Sequence, residues 1–459
     1  MSPKRPQIDT LTSVNQDGSR YFLRPASVDG RFTRLRQKIF IALIALLATL
    51  PLIEIRGYPA IFIDIPKRSF HFFGVSLGPT DSYLLFFLLT GLGFFLVVVS
   101  AMFGRVWCGY ACPQTVFLEG VFRRLERMIE GSREAQIKLD AAPFTIKKIA
   151  KRITKNIVFI AFSAAIAHLL LFYFVSFKET VHLVLAGPSS DPTIFIWAIC
   201  LTLIVYFNFA WFREQLCIII CPYGRLQSVL SDQDTIVVGY DKTRGEPRGS
   251  LKSLDRGDCI DCKRCVVVCP TGIDIRHGMQ LECVGCANCV DACDEVMLKI
   301  GQKPGLIRYD SERGFLGQKK RLITPRFYLY VFLGLLGLTF LTVTVVLHPR
   351  IPATLIRQKG APYVFVDNGQ RIQNAFLLSI HNKTQDLEEI EIEFITDHPQ
   401  LKAVLAQNYI QMMPYQKLDL PFFMSMLRKD YNNKVSYVVK LKHKKTKQET
   451  VLKGLFLGP

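Results

Sequence analysis

Residues 259–293 read Cys259-Ile-Asp-Cys262-Lys-Arg-Cys265-Val-Val-Val-Cys269-Pro270 and, after a short spacer, Cys283-Val-Gly-Cys286-Ala-Asn-Cys289-Val-Asp-Ala-Cys293. The spacing C-x2-C-x2-C-x3-C therefore occurs twice. Three thiolates at this spacing can wrap a 4Fe-4S cubane, and the fourth cysteine of such a run ligates the neighbouring cluster. The pattern predicts one cluster at Cys259, Cys262, Cys265 and Cys293, and a second at Cys283, Cys286, Cys289 and Cys269.

A structural zinc site or a disulfide framework is the alternative interpretation of these cysteines. Zinc sites use paired C-x2-C arms that supply four ligands in total, whereas here each run holds four cysteines of its own. The spacing therefore favours iron–sulfur clusters. The second run departs from the pattern in one position, because Asp294 stands where Pro270 closes the first run.

The composition is that of a membrane protein with sizeable aqueous parts. Half of the 459 residues are hydrophobic and the mean hydropathy is +0.24, yet 21% of the residues are charged. A net charge of +19 would suit a nucleic-acid-binding protein. The sequence contains no DNA- or RNA-binding motif to accompany that charge, so no nucleic-acid partner is predicted.

Five apolar stretches are long enough to cross a bilayer as helices. They are Ile39–Ile55, Leu84–Phe103, Ile157–Phe177, Ile194–Phe212 and Phe327–Leu347. A cleaved signal peptide is the alternative for the first stretch, which contains Pro51. The polar stretch before it is long and no small-x-small cleavage site follows, so we expect a retained helix.

The distribution of Lys and Arg predicts the orientation of these helices. Residues 1–38 contain eight and residues 104–156 contain eleven, whereas residues 57–82 contain two and residues 178–193 contain one. The positive-inside rule then places the amino terminus and residues 213–326 in the cytoplasm, with everything after Leu347 outside. All thirteen cysteines lie between positions 108 and 293. Iron–sulfur thiolates survive in a reducing compartment, and an outer domain without disulfides is acceptable if its core is large enough, so the cysteine distribution agrees with this topology.

The predicted fold is a multi-pass α-helical membrane protein of about five helices with a ferredoxin-like insert and a β-sandwich. Its predicted parts are a cytoplasmic tail (1–38), a four-helix membrane region (39–212), a cytoplasmic segment (213–326) with a two-cluster insert at about 255–300, a fifth helix (327–347) and a periplasmic β domain (349–459). Residues 113–130 within the membrane region have apolar residues at helical spacing, interleaved with arginines. They are predicted to form an amphipathic helix on the anionic inner leaflet.

The last part of the chain alternates apolar and polar residues, as half-buried strands do. Seven strands are predicted, at Tyr363–Asp367, Ala375–Asn382, Glu389–Ile395, Tyr409–Pro414, Leu418–Phe423, Val435–Lys442 and Thr450–Phe456. Seven short strands in about a hundred residues predict a small immunoglobulin-like sandwich. The Cys…Trp…Cys signature of antibody domains is missing.

A second set of cysteines repeats within the chain. Cys108-Gly-Tyr-Ala-Cys112-Pro113 and Cys217-Ile-Ile-Ile-Cys221-Pro222 each follow a membrane stretch, and Phe103 or Phe212 precedes the first cysteine by five positions. The proline is expected to begin a new helix, whose amino terminus would lower the pKa of a thiol beside it. Four such thiolates suit Cu(I), zinc or a further iron–sulfur cluster, or form redox dithiols. The alternative is that they are small hydrophobic residues in apolar helices.

The combination of these features resembles the cytochrome c oxidase accessory proteins of the FixG/CcoG/RdxA type. The resemblance covers essentially the whole chain. It implies a multi-pass protein of the bacterial inner membrane that helps to assemble cbb-type oxidases and reduces Cu(II) to Cu(I). It implies two 4Fe-4S clusters on the eight cysteines and a candidate copper or redox site at Cys108, Cys112, Cys217 and Cys221. Oxidase subunits or copper chaperones are the implied partners.

The function expected from the sequence is a one-electron relay from a cytoplasmic donor, through the clusters, to a metal ion near the C-x3-C-P cysteines, with cupric reductase activity. Two alternatives remain open at this stage. One is a membrane electron-transfer subunit that connects a cytoplasmic donor, quinone and a periplasmic reductase. The other is an assembly scaffold whose outer β domain binds a nascent oxidase while its clusters sense the redox state.

Overall fold

The computed structural model describes residues 20–459 with short gaps. The gaps are residues 56, 67–68, 78–81, 254, 320–324, 347–350, 359, 383–386, 397, 406, 414–415, 432 and 445–448. The first half of the predicted amino-terminal tail lies outside the described residues. The chain divides into two compact units, Met1–Leu341 and Thr342–Pro459.

Five helices in the described residues are long and apolar enough to cross a membrane. They are α1 (Arg31–Thr49), α2 (Ser82–Phe103), α7 (Ile146–Leu171), α9 (Pro192–Phe207) together with the π-helical turn Asn208–Phe212 that continues it, and α15 (Pro325–Val346). The other helices are α3 (Val106–Tyr110), α4 (Pro113–Phe117), α5 (Arg123–Glu130), α6 (Arg133–Ala141), α8 (Phe177–Ala186), α10 (Pro222–Leu230), α11 (Lys242–Gly245), α12 (Arg264–Val267), α13 (Asn288–Lys299) and α14 (Glu312–Phe315). Three segments form π-helical turns, Leu118–Phe122, Asn208–Phe212 and Leu216–Ile220.

The bounds of two predicted membrane helices were wrong. The first helix runs from Arg31 to Thr49 rather than from Ile39 to Ile55, and Glu54–Ile55 form a short strand. The third runs from Ile146 to Leu171 rather than from 157 to 177. Arg, Lys and Gln are good helix formers, so a helix continues beyond its apolar stretch. The third helix stops early because a turn follows and the hydroxyl of Ser176 caps α8 by accepting from the Glu179 N–H.

The segment 113–130 is helical, as predicted, but its apolar side does not face lipid. Phe117, Leu118 and Phe122 pack against Phe159 and Phe209 of the membrane helices. The rings of Phe122 and Phe209 stack with their centroids 4.6 Å apart. The predicted position on the inner leaflet is therefore wrong, because a helical stripe shows that a face will be buried but does not identify the apolar surface that covers it.

In the described part of the first unit, seven short strands accompany the helices. They are β1 (Glu54–Ile55), β2 (Tyr58–Pro59), β3 (Ile61–Asp64), β4 (Ser69–Phe72), β5 (Val75–Leu77), β6 (Val237–Tyr240) and β7 (Ile307–Asp310). The first five lie between α1 and α2. Strands β6 and β7 pair antiparallel, with Val237 opposite Asp310, and so join the two ends of the cysteine-rich insert. Apolar residues of both strands share one core with the insert.

The second unit is a sandwich of two antiparallel sheets. Its strands are β8 (Ala353–Arg357), β9 (Val364–Val366), β10 (Arg371–His381), β11 (Glu388–Thr396), β12 (Lys402–Leu405), β13 (Tyr409–Met412), β14 (Lys417–Leu427), β15 (Val435–His443) and β16 (Glu449–Phe456). One sheet has the order β12-β14-β10-β8, with β9 also on β10, and the other has the order β13-β11-β15-β16. All seven predicted strands are present. The structure adds β8 and β12 to them.

Candidate functional site

The two cysteine runs fold into matching loops. In each run the residue after the second cysteine has a left-handed backbone, with φ +56° at Lys263 and +59° at Ala287. A helix begins at the next residue, α12 at Arg264 and α13 at Asn288. The first three cysteines of each run lie near one another and interact electrostatically. The fourth cysteine of the first run follows α12, and that of the second run lies on α13.

The fourth cysteine of the second run lies with the first run. Burial raises the pKa of the Cys293 thiol to about 12, and the neighbouring thiols of Cys265, Cys259 and Cys262 add to that shift. The pKa of Cys265 is likewise raised to about 12, first by burial. In this group Cys259, Cys265 and Cys293 are buried, whereas Cys262 is exposed.

The fourth cysteine of the first run lies with the second run. Cys269 interacts electrostatically with Cys283, Cys286 and Cys289. Burial is the main cause that raises the pKa of Cys283 to about 12 and that of Cys286 to about 11. Cys289 also interacts with Cys265 of the first group, so the two groups are adjacent. The structure thus brings the eight cysteines together in the two sets that the spacing predicted.

The chemistry of these sites suits 4Fe-4S clusters better than single ions. All eight cysteines are free thiols. Within the described ranges, no three His, Cys, Asp or Glu side chains are spaced to bind a single metal ion. A buried thiol with a raised pKa stays neutral unless a cation beside it stabilises the thiolate. The apolar shell of the two groups includes Ile273, Ile275, Val290, Met297, Leu306 and Ile307.

The two C-x3-C-P motifs have the same local structure. The residue four positions before the first cysteine has a left-handed backbone in both, with φ +56° at Gly104 and +49° at Arg213. The first cysteine then lies in a short helical turn, and the second precedes a proline that begins α4 or α10. The predicted role of Pro113 and Pro222 at the start of a helix is confirmed.

The four C-x3-C-P thiols lie together and interact with one another. The pKa of Cys108 is raised by burial and then by Cys112, Cys217 and Cys221. Burial also raises the pKa of Cys217 to about 12. Cys112 accepts hydrogen bonds from the backbone of Gln114 and Thr115, yet its pKa is raised because burial outweighs them. The prediction of a lowered pKa was therefore wrong for Cys112, since desolvation exceeds the effect of the helix amino terminus.

The C-x3-C-P site contacts the second cysteine run directly. A Cβ at Gly109 would lie 2.8 Å from the carbonyl oxygen of Gly285 and 2.9 Å from that of Val284. The hydroxyl of Tyr309 donates to the Gly285 carbonyl at 2.6 Å and lies 3.4 Å from the hydroxyl of Tyr110. Strand β7 thereby holds the loop between Cys283 and Cys286 against the loop between Cys108 and Cys112.

Arg105 is a site residue whose role the sequence did not reveal. Its guanidinium lowers the pKa values of Cys108, Cys217 and Cys283 against the larger effect of burial. Its Nε donates to Gln227 at 2.5 Å, and its Nη2 donates to the carbonyl of Gly224. The second motif also has an arginine beside it, Arg213. Its Nη2 donates to the Glu126 carboxylate at 2.9 Å.

A buried ionic network beside the site was also not predicted. Glu126 accepts from Arg24, Lys155 and Arg213 at 2.9–3.4 Å. Arg123 forms ion pairs with Glu119 and Glu214 and donates to the carbonyl of Pro270, the residue after Cys269. The network joins α5 to α7, to the second C-x3-C-P motif and to the cysteine-rich insert. Only the tertiary fold brings these charges together.

Three bacterial proteins are similar to most of this chain. Protein RdxA of Cereibacter sphaeroides is 39% identical over 335 residues, which are 70% of each chain. Protein RdxB of the same organism is 35% identical over 81% of this chain and 82% of its own. The nitrogen fixation protein FixG of Rhizobium meliloti is 38% identical over 66% of this chain and 61% of its own.

This chain belongs to the FixG/RdxA family.

Family models account separately for the parts of this FixG/RdxA protein. A 4Fe-4S dicluster domain matches residues 212–312, and a 4Fe-4S binding domain matches residues 84–130. The immunoglobulin-like fold at the carboxyl terminus of FixG matches residues 341–459. The protein is therefore an iron–sulfur electron-transfer protein with two clusters and an immunoglobulin-like domain. The 4Fe-4S binding domain that matches residues 84–130 includes Cys108 and Cys112, which lie outside the two C-x2-C-x2-C-x3-C runs.

Proposed function

We propose that this protein is a one-electron relay of the bacterial inner membrane that reduces Cu(II) to Cu(I) for the assembly of cbb-type oxidases. Cys259, Cys262, Cys265 and Cys293 would hold one cluster, and Cys283, Cys286, Cys289 and Cys269 the other. The observation that carries the proposal is the contact of Gly109 with Gly285, because it joins the second group of cysteines to the C-x3-C-P site. When bound, the two clusters supply reversible one-electron chemistry.

The exposure of the cysteines gives the relay a direction. Cys262 in the first group is exposed, whereas the cysteines of the second group are partly or fully buried. A soluble carrier can therefore approach the first group, and the second group faces the C-x3-C-P loop. Electrons enter beside Cys262 and leave beside Cys108.

The C-x3-C-P site is suited to the last step, in which Cu(II) takes up one electron and becomes Cu(I). Thiolates are soft ligands that prefer Cu(I), so binding there favours the reduced ion. Arg105 supplies a positive charge that offsets part of the cost of buried thiolates. Here copper is the substrate.

The charge distribution supports an orientation for the relay. Lys and Arg are concentrated in residues 1–38 and 104–156, and this bias supports a cytoplasmic location of the amino terminus and the clusters, with the β domain in the periplasm. The β domain would then meet oxidase subunits or copper chaperones. The donor is a separate cytoplasmic one-electron carrier.

The test uses the full chain, purified without oxygen and reduced before Cu(II) is added. A Cu(I)-specific chelator reports the product. We expect the chain with Cys200→Ser to form Cu(I) like the wild type, because Cys200 is exposed on α9 and lies outside the site. The quadruple variant with Ser at 108, 112, 217 and 221 should keep both clusters and lose the activity. Equal Cu(I) formation by the two variants would rule out the proposed copper site.

A second candidate for the four C-x3-C-P cysteines is a further 4Fe-4S cluster. The match of residues 84–130, which include Cys108 and Cys112, to a 4Fe-4S binding domain supports it. Iron analysis of the same two variants distinguishes the candidates. A cluster predicts a loss of about four irons per chain in the quadruple variant. A copper site predicts no loss of iron.

A further inference from the structure

A cavity beside the second cysteine run has a strongly positive lining. It has a volume of about 100 Å³ and lies among the segment 25–28, the first turns of α1 and the segment 113–130. Its charged lining residues are Arg36, Arg124, Arg127 and Glu119. A water molecule needs much less room, so the cavity holds several waters or one larger polar group.

Arg36 is buried with part of its hydrogen-bonding capacity unused. Its side chain is 3% exposed. Its Nε donates to the carbonyl of Gly109 at 3.0 Å, and its Nη1 donates to Asn288 at 2.5 Å. Its Nη2 is buried and has no hydrogen-bond partner. Leaving a charged donor unsatisfied is costly, so this atom indicates a ligand that accepts a hydrogen bond.

The side chains of the other two arginines of the cavity also lack a direct partner. The guanidinium groups of Arg124 and Arg127 form no hydrogen bond or ion pair with the residues that the structure describes. Burial lowers the pKa of Arg127, and the nearby guanidiniums of Arg123 and Arg124 lower it further despite Glu119. The Glu119 carboxylate is itself paired with Arg123. Three guanidinium groups therefore share a cavity whose one carboxylate is already engaged.

We propose that this cavity binds a phosphate group. Guanidinium groups match the oxygens of phosphate with paired hydrogen bonds, and three of them compensate its charge. Two sources supply that chemistry, the headgroup of an anionic phospholipid and free phosphate. The cavity opens beside the basic first turns of a membrane-length helix, a place where basic pockets bind lipid headgroups. Because Arg36 also contacts Gly109 and Asn288, the ligand would bind next to the relay. The proposal does not depend on the reduction of copper.

The test measures binding of phosphatidylglycerol, phosphatidylcholine and inorganic phosphate to the full, delipidated chain in detergent, with native mass spectrometry for the lipids and calorimetry for phosphate. The variant is Arg124→Gln with Arg127→Gln, because changing Arg36 would also disturb Gly109 and Asn288. The control removes two exposed cations from α7, by Lys147→Gln with Lys151→Gln. Iron content is measured in each to show that the clusters remain.

A lipid ligand is supported if the wild type binds phosphatidylglycerol more tightly than phosphatidylcholine. This preference should fall at least about tenfold in the Arg124/Arg127 variant and persist in the control. Free phosphate is supported as the ligand if inorganic phosphate binds saturably, if this binding weakens in the Arg124/Arg127 variant but not in the control, and if neither lipid is preferred. Wild-type protein that binds neither, or an Arg124/Arg127 variant that binds as the wild type does, overturns the proposal.

Discussion

Gly109 leaves no room for a side chain at the contact on which the proposed relay depends. A methyl group there would meet the carbonyl oxygens of Gly285 and Val284 within 3 Å, and backbone atoms cannot rotate away as a flexible side chain can. Gly109→Ala should therefore separate the two loops, at a cost of about 1–3 kcal/mol in stability. We expect both clusters to be retained and Cu(I) formation to slow. Stopped-flow measurement of Cu(I) after Cu(II) is added to reduced protein checks this.

The control for that prediction is Gly93→Ala in α2, where an added Cβ would have nothing within 4 Å. This variant should reduce Cu(II) at the wild-type rate. If Gly109→Ala does the same, electrons do not leave through this contact.

Glu126 makes the stability of the first unit depend on pH. Burial alone would raise its pKa, but Arg213, Lys155 and Arg24 lower it below the ordinary value of 4.5. Since the pKa is lower in the folded state than in the unfolded state, the stabilisation is complete above about pH 4.5 and is lost as the pH falls further. We expect Glu126→Gln to cost about 3–5 kcal/mol at pH 7 and to weaken the loss of stability in acid.

Thermal unfolding followed by circular dichroism between pH 3 and pH 7 measures this effect for wild type and variant. Glu312→Gln, at an exposed carboxylate of α14, is the matched control and should unfold as the wild type does at each pH. A Glu126→Gln protein with the wild-type dependence on pH would show that the buried network does not control acid stability.

At the scale of elements, the sequence predicted what depends on local spacing. Both cysteine sets, the five membrane-length helices and the seven alternating strands follow from periodicity or ligand spacing. It did not predict β8 and β12, because Ala353–Arg357 and Lys402–Leu405 are short and lack a clear alternation. Nor did it predict the π-helical turns beside the C-x3-C-P motifs, which arise where packing and a left-handed residue such as Arg213 interrupt a helix.

Strand β14 contributes a large aromatic side chain to the core of the β domain. Phe422 at its centre is fully buried, and its ring lies 6.1–6.2 Å from those of Phe376, Phe394 and Tyr437 on both sheets. Because residues 342–459 form a compact unit with their own core, we expect residues 351–459 to fold alone. Phe422→Ala should lower the free energy of unfolding of that fragment by about 3–5 kcal/mol.

Urea unfolding of the fragment measures this loss. Val404→Ala, at a side chain that is 59% exposed on β12, removes apolar atoms without opening a cavity and should change the free energy of unfolding little. Equal effects of the two substitutions would contradict the assigned core.

At the scale of the whole molecule, the first unit is held together by contacts that no sequence pattern contains. Arg123 joins α5, Glu214 and the loop after Cys269, and Arg36 joins α1 to Gly109 and Asn288. These residues are far apart in the sequence and meet through charge and hydrogen bonding rather than periodicity. The spacing of the cysteines therefore predicted which of them group together, whereas the contacts that hold these groups against the C-x3-C-P motifs appear only in the fold.

The charge around the exposed cysteine predicts the kind of electron donor. Cys262 is followed by Lys263, whose side chain is 52% exposed, and by Arg264, in a chain of net charge +19. An acidic one-electron carrier would be steered to this surface, and salt would screen the attraction.

We expect Lys263→Glu to slow reduction of the clusters by an acidic ferredoxin at low ionic strength and to have little effect at high ionic strength. Lys402→Glu makes the same change of net charge on the other unit. We expect the clusters of this control variant to be reduced by the ferredoxin at the wild-type rate. Stopped-flow absorbance follows the bleaching of the clusters, and equal slowing by both variants would mean that total charge, rather than the surface beside Cys262, attracts the donor.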